Sequence, residues 1–378
     1  MAETERARMI SPAEGRDLRL DLFRGIANWA IFLNHIPDTS LIWLTTRNYG
    51  FSDAADLFVF ISGYSAAYVY ARGMRANGFI AGVVRLLKRV WQIYVAHVLL
   101  FVVYVAAIGW VAQTYGHSHL LNEFNVAVVI EQPIAGLTQG LLLKFKPLNL
   151  DVLPLYIVLM APFPLALWAM IRRPDFVLGA SFALYVAARQ FGWNLPAYPS
   201  GSWFFNPFTW QLLFILGAWC ALGGAARIQA AMQARAVIWI CAAYLLFALL
   251  ITLSDDLVPV ARIVPSWLSA VFLPIDKTNL GPSRLLHFLA LAVLVTAMLP
   301  RQWPGLKSPW LWPLMTCGQH SLEVFCVGIF LSFAAHFLLE LISTSLAAQA
   351  LVGLLGFAIL TAVAAYRSWS KQLEKRTT

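Results

Sequence analysis

The chain has 378 residues, of which 60% are hydrophobic, 14% aromatic and only 12% charged, and its mean hydropathy is +0.70. So apolar a composition excludes a soluble globular protein, a disordered hub and a fibrous chain, and points to an integral membrane protein with one large membrane domain. The net charge of +9 would suit a nucleic-acid ligand in a soluble protein, but cytoplasmic loops of a helical membrane protein supply such an excess by themselves, so no nucleic-acid partner is expected.

Residues 1–17 are polar, carry both signs of charge and contain no apolar core ahead of a small-residue cleavage site, so they read as a cytoplasmic tail with no signal peptide. A spanning helix needs ~20 mostly apolar residues. Ten segments approach that description: 18–37, 51–72, 88–112, 150–171, 176–191, 207–225, 236–253, 284–300, 311–339 and 347–367. The fifth is short, and the ninth is long enough to be tilted, to kink at Gly328 or to extend beyond the bilayer. The predicted fold is therefore all-α and polytopic, with about ten transmembrane helices forming one domain over residues 18–367 and a cytoplasmic tail at 368–378.

Short cytoplasmic loops are enriched in Lys and Arg. With the N-terminus inside and ten spans, 19 basic residues fall on the cytoplasmic side, seven fall outside (Arg47, Lys144, Lys146, Arg189, Arg262, Lys277 and Arg284), and Arg24 lies within the first segment. That asymmetry predicts both termini in the cytoplasm. The outer loops 113–148, 192–206 and 254–283 are richer in acidic and aromatic residues and large enough to hold an acceptor. No internal repeat and no inverted pair of broken helices is visible, which argues against a transporter of the inverted-repeat kind.

Ionisable groups at membrane depth cost roughly 2.5–3.5 kcal/mol each on insertion scales, so each needs a reason. The first segment, RLDLFRGIANWAIFLNHIP, holds Asp21, Arg24, Asn28, Asn34 and His35. On a helix of 3.6 residues per turn, Arg24 and His35 lie about 20° from a common meridian and roughly 16 Å apart along the axis, with Asn28 near the same face. Locally, Asp21 can pair with Arg24 near the cytoplasmic boundary, and His35 can end the helix before Pro37. A polar stripe along most of one helix is better explained as a buried pathway. The second segment opens with SDAADLFVFISGY, placing Asp53 and Asp56 at the level of His35. Either carboxylate can orient the imidazole and leave its other nitrogen as a base, or it can cap the second helix.

His320 and Glu323, three residues apart, share a face and read as a structural link between helices or as a second acid/base pair, and His287 is a further intramembrane polar group. Trp193, Tyr198, Trp203, Phe204, Phe205 and Trp210 crowd one outer loop. Aromatic rings stack on sugar faces, and they also form interfacial belts; Trp203 is the preferred sugar contact, with Gln211 and Asn34 as further substrate-pocket residues. Cys220, Cys241, Cys317 and Cys326 lie in apolar stretches without CxxC spacing, and no HExxH, Walker A or dinucleotide fingerprint is present, so no metal and no permanently bound cofactor is expected.

The phrases RLDLFRGIANWAIFLNH and ADLFVFISGY resemble the opening of the membrane-bound acyltransferase-3 superfamily, in which LDxLRG precedes an apolar run to a His and a DLFFVLSG-like segment follows. VVRLLKRVWQIYVAHV (83–98) resembles its basic segment entering the third helix, and CGQHSLEVFCVGIF (317–330) its late GxxSLxxY helix. LNLDVLPLYIVLM (148–160), FNPFTWQLLFILGAW (205–219) and DKTNLGPSRLLHF (276–288) are similar to the OpgC group, which succinylates osmoregulated periplasmic glucans. One departure is Val95, which stands after Gln92-Ile93-Tyr94 where the superfamily usually has Pro. The resemblance implies an enzyme of the bacterial inner membrane, an O-acyltransferase that takes an acyl group, succinyl by this likeness, from cytoplasmic acyl-CoA to a periplasmic glucan acceptor. His35 would be the base, Asp56 its orienting partner and Arg24 a donor contact. Arg85 and Arg89, with Lys88, would meet the CoA phosphates, although the cytoplasmic excess of basic residues also accounts for this cluster. Another exported polysaccharide as acceptor, or transport of an acylated or anionic solute, are the alternative readings.

Overall fold

Asp17 is an N-cap: its carboxylate accepts the Arg19 N–H at 3.1 Å and is gripped by the Arg19 guanidinium at 2.8 Å. Helix α1, Leu18–Asn34, follows and stops at His35 (φ −99°, ψ 2°), two residues before Pro37, where a proline forbids further helix. The computed structural model describes residues 17–377, so residues 1–16 of the predicted tail, with Arg6, Arg8 and Arg16, lie outside the described residues. About 80% of the chain is helical, and there are no strands among the described residues.

The longer helices are α2 (Ala54–Tyr115), α3 (Val152–Met160), α4 (Phe163–Arg172), α5 (Pro174–Phe191), α6 (Pro207–Trp219), α7 (Arg235–Asp256), α8 (Pro282–Met298), α9 (Trp312–Gln319), α10 (Ser321–Ile342) and α11 (Leu346–Thr377). Two compact units share them. The first gathers the described residues of Met1–Phe58 with Ala230–Leu273 and Leu286–Thr378; the second comprises Val59–Gln229 and Pro274–Leu285.

In the first unit, α1 is wrapped by α9, α10 and α11. Its buried face includes Asp21, Gly25, Asn28 and Phe32, a 4-3-4 spacing that keeps them on one stripe. Two glycines let backbones touch: a Cβ on Gly25 would collide with the Leu314 carbonyl, and one on Gly318 with the Asp21 carbonyl. Beyond this crossing, Asn28 Nδ2 donates to Ser321 Oγ at 3.2 Å, Ser332 Oγ donates to the Phe32 carbonyl at 3.0 Å, and Trp29 stacks on Phe357 with centroids 4.1 Å apart. Phe32, Leu33, Cys317, Val324 and Leu360 join the apolar core around these contacts. Burying a side chain such as Phe32 is worth about 1.5–3 kcal/mol against water, and the hydrogen bonds satisfy Asn28 Nδ2 and Ser332 Oγ within that core.

In the second unit, α2 is two arms. Gly78 has φ +83° and ψ 171°, outside the helical region. Met74 Cβ lies 3.0 Å from the place of a Cβ on Gly82, whereas eight residues of straight helix span about 12 Å, so the chain folds back at Gly78. This divides the predicted segments 51–72 and 88–112. Pro162 stands between α3 and α4, which meet at 54°. α5 and α6 pack together, and α6 runs into a π-helical turn, Cys220–Gly224, where Gly223 takes φ 106°.

Each of the ten predicted segments is helical over most of its length, and the count of about ten spans is not confirmed. Among the described residues five helices, the two arms of α2 counted as one, are long and apolar enough to cross a membrane, or six if α3 and α4 form one bent span. α1 has 17 residues, about 26 Å and short of the ~30 Å hydrocarbon layer. The ninth segment breaks at His320 (φ −115°, ψ 39°) and not at Gly328, which is helical within α10. The segment 113–148 is folded into short helices, His119–Glu123, Ala127–Glu131 and Pro133–Leu141.

Candidate functional site

The polar face of α1 stands at the centre of the first unit's site. Asn28 is buried, while Arg24, Asn34 and His35 are half-buried. Asn34 Oδ1 accepts the Thr45 hydroxyl at 2.7 Å, tying the end of α1 to the loop that leads to α2. That loop closes on a capping box: Ala55 N–H donates to Asp53 Oδ1 at 2.8 Å, and Asp53 N–H donates to Asp56 Oδ2 at 2.9 Å. Asp53 therefore fills the helix-capping alternative raised by the sequence, and Asp56 is the wholly buried carboxylate of the two.

His287 holds the same loop from α8. Its Nδ1 accepts the Ser52 N–H at 3.2 Å and lies 2.7 Å from Ser52 Oγ, which requires the ring proton on Nε2. Nε2 faces Gly50, where any Cβ would collide with the imidazole. His287 thus positions the loop carrying Asp53 and Asp56. His320 and Glu323 turn toward α11: His320 Nε2 pairs with Ser368 Oγ at 2.8 Å, Lys371 Nζ donates to His320 Nδ1 at 3.4 Å, and Arg367 Nε donates to Glu323 Oε1 at 3.2 Å. These contacts fit the structural link between helices.

In the second unit, Arg85 is exposed, with Nη1 3.1 Å from the position of a Gly73 Cβ, and Arg89 donates to Gln92 Oε1 at 3.4 Å. Gln211 is fully engaged between α5 and α6, accepting the Ser181 hydroxyl at 2.6 Å and donating to the Ser181 carbonyl at 2.8 Å. Trp203 is buried, with Lys146 Nζ 3.8 Å from its ring centroid. The exposed rings of that loop are Trp193 and Phe204.

Around Trp203 the structure gathers residues that the sequence reading left among outer-loop charges. Burial pushes the Asp151 carboxyl up to about 6 against the opposing pull of Lys146 and Lys277. Burial likewise brings the Lys146 ammonium down to about 8, with Asp151 acting against it. Arg284, also buried, lies 5.6 Å from the Trp210 centroid, and Trp210 Nε1 donates to the Lys277 carbonyl at 3.0 Å. The nearest signal in the sequence was the pairing of Lys146 and Asp151 within one short loop.

A family model described as OpgC protein matches residues 16–372. The chain belongs to the OpgC protein family. No curated protein and no solved structure matches it. For this OpgC-family chain, family membership indicates an OpgC-like acyltransferase, and the long apolar helices indicate a membrane protein.

Proposed function

We propose that this OpgC-family protein is an O-acyltransferase of the bacterial inner membrane, related to the acyltransferase-3 enzymes, that moves an acyl group, succinyl by preference, from cytoplasmic acyl-CoA to hydroxyls of periplasmic osmoregulated glucans. The observation that carries the reading is the polar face of α1, where Arg24, Asn28 and His35 run along one packed helix. A sugar hydroxyl is a poor nucleophile until its proton is removed. In this reading His35 takes that proton as the oxygen attacks the thioester carbonyl, and the C–S bond breaks. The proton then passes from the imidazolium to the departing CoA sulfur, giving an ester and a free thiol. Asp56 orients the imidazole, Arg24 faces the donor, and Arg85 and Arg89 meet the CoA phosphates, with both termini in the cytoplasm. No resident cofactor takes part.

Mass spectrometry of periplasmic glucans tests this in cells lacking the protein, cells with it restored and cells carrying His35→Ala. The expected result is loss of an ester-linked acyl mass in the first and third strains, with the variant still present in the membrane. Glucan modification retained by His35→Ala would remove the base from His35. Glucans unchanged in every strain would remove that acceptor in favour of another exported polysaccharide. Solute flux into sealed vesicles without any covalent product would mark a transporter.

A further inference from the structure

The second arm of α2 presents three faces in its first turns, where the backbone is helical beyond Gly78. Leu86 and Ile93 are fully buried, and Gly82, on the same side, lies against Met74 of the first arm. Ile80, Val84, Leu87 and Trp91 fall within an arc of about 60° and are between 46% and 77% exposed. Arg85, Lys88 and Gln92 fall within a second arc of about 60°, roughly 100° round the helix from the first, and all three are exposed. Arg89 lies further round and half-buried, bonded to Gln92 and within electrostatic reach of Tyr70.

The two exposed faces share one depth. Ile80 to Trp91 covers about 16 Å of helix axis, and Arg85 and Lys88 lie inside that interval. Basic residues that only orient a chain stand in loops beyond its apolar segments; these two stand beside an apolar stripe. The stripe is costly against water and the cations are costly against hydrocarbon. The boundary between acyl chains and headgroups meets both demands, and Trp91 suits that level.

The chain offers these cations no counter-charge. No acidic residue occurs between Asp56 and Glu123, a stretch that holds Arg72, Arg75, Arg85, Lys88 and Arg89. Among the described residues neither Arg85 nor Lys88 forms an ion pair. Asp175, at the start of α5, is engaged by Arg227 at 2.7 Å and by Trp219 Nε1 at 2.8 Å. The complementary partner is an anion that carries long hydrocarbon chains, because the charge and the apolar stripe are exposed side by side. Inorganic phosphate lacks the hydrocarbon, and a zwitterionic lipid lacks the net charge.

We infer that this face of α2 binds an anionic phospholipid, with its acyl chains along Ile80, Val84, Leu87 and Trp91 and its phosphate on Lys88 and Arg85. The site does not depend on acyl transfer. Arg85 is common to it and to the proposed CoA contacts, so Lys88 is the residue that discriminates.

The test is native mass spectrometry of the purified full-length protein, titrated in detergent with phosphatidylglycerol or phosphatidylethanolamine of identical acyl chains. Phosphatidylglycerol is expected to be retained at least tenfold better. Lys88→Gln should lower that preference about fivefold, the worth of one cation near an anionic lipid, and Lys88→Arg should keep it. Leu87→Ser should weaken retention of both lipids and leave their ratio unchanged. Arg173→Gln, which removes an exposed cation elsewhere in the same unit, should retain the wild-type ratio. Equal retention of the two lipids, an unchanged ratio in Lys88→Gln, or an equal fall in Arg173→Gln would overturn the inference, as would displacement of phosphatidylglycerol by excess inorganic phosphate. Thermal melting of each variant separates lost binding from lost folding. His35→Ala is expected to bind lipid as the wild type does, so failure of His35 in the glucan assay and failure of this site are separate results.

Discussion

The contact between α1 and α9 has almost no slack, and Gly318→Ala measures it. The new Cβ would lie 2.7 Å from the Asp21 carbonyl carbon and closer still to its oxygen, against ~3.5–4.0 Å for a relaxed carbon pair. The neighbouring atoms are backbone, so no side chain can rotate away and the two helices must part by about 1 Å. Overpacking of this kind costs about 1–3 kcal/mol. The functional loss should be larger than the stability loss suggests, because α1 carries Arg24 and His35 and a displacement near 1 Å in reacting groups can cost on the order of 100-fold in rate. Melting in detergent and acyl transfer in isolated membranes measure the two effects on the same preparation. Gly328→Ala is the control, since its Cβ would meet only Leu360 and Phe32 at 3.7 and 3.8 Å. A Gly318→Ala protein with wild-type melting and wild-type transfer would refute the close-contact argument.

His287→Phe should cost about 1–3 kcal/mol by stranding the buried Ser52 N–H; His287→Asn, whose amide oxygen can accept it, should recover part of that loss, and equal losses would dismiss the Ser52 bond. His320→Ala should raise hydrogen exchange in the last turns of α11, through loss of Ser368 and Lys371 contacts. If it stops acyl transfer while exchange there stays unchanged, His320 belongs to the chemistry. For pH, Asp151 has a folded value of about 6 above its ordinary 3.8, so stability falls as pH rises across that window, because the unfolded chain gives up its proton first. Lys146, at about 8 against an ordinary 10.5, makes stability fall as pH drops from 10.5 toward 8, because the unfolded chain takes up its proton first. Asp151→Asn should flatten the acid limb and Lys146→Met the alkaline limb of denaturant midpoint against pH; unchanged slopes would contradict both.

The burial of Asp21 and Asn28 was legible because a charged and an amide group in an apolar helix need shelter from lipid. The end of α1 was legible because Pro37 fixes it. The break in the ninth segment was not: hydropathy marks apolar runs, but the break at His320 depends on backbone angles that a run of apolar letters does not encode. Gln211 and Trp203 were picked out by residue type, yet their surroundings came only with folding, one locked to Ser181 and the other covered by Lys146. His97 escaped notice because one imidazole in an apolar helix looks like ordinary packing, and what sets it apart is two buried nitrogens without a hydrogen-bond partner among the described residues.

The distance in sequence between α1 and its partners also sets an order of assembly. Asn28 and Ser321 are 293 residues apart, and Ser332 bonds to Phe32 across 300. At ~5–20 residues per second of synthesis, α1 leaves the ribosome roughly 15–60 s before the helices that cover it. During that interval the polar stripe must be sheltered by lipid headgroups, water or an insertion factor. A ribosome that stalls before α9 therefore releases a helix already bearing His35 with no walls around it. Completion of the carboxyl-terminal helices is the step that makes the first unit whole, and quality control at the membrane has a natural signal to read in an α1 that stays uncovered.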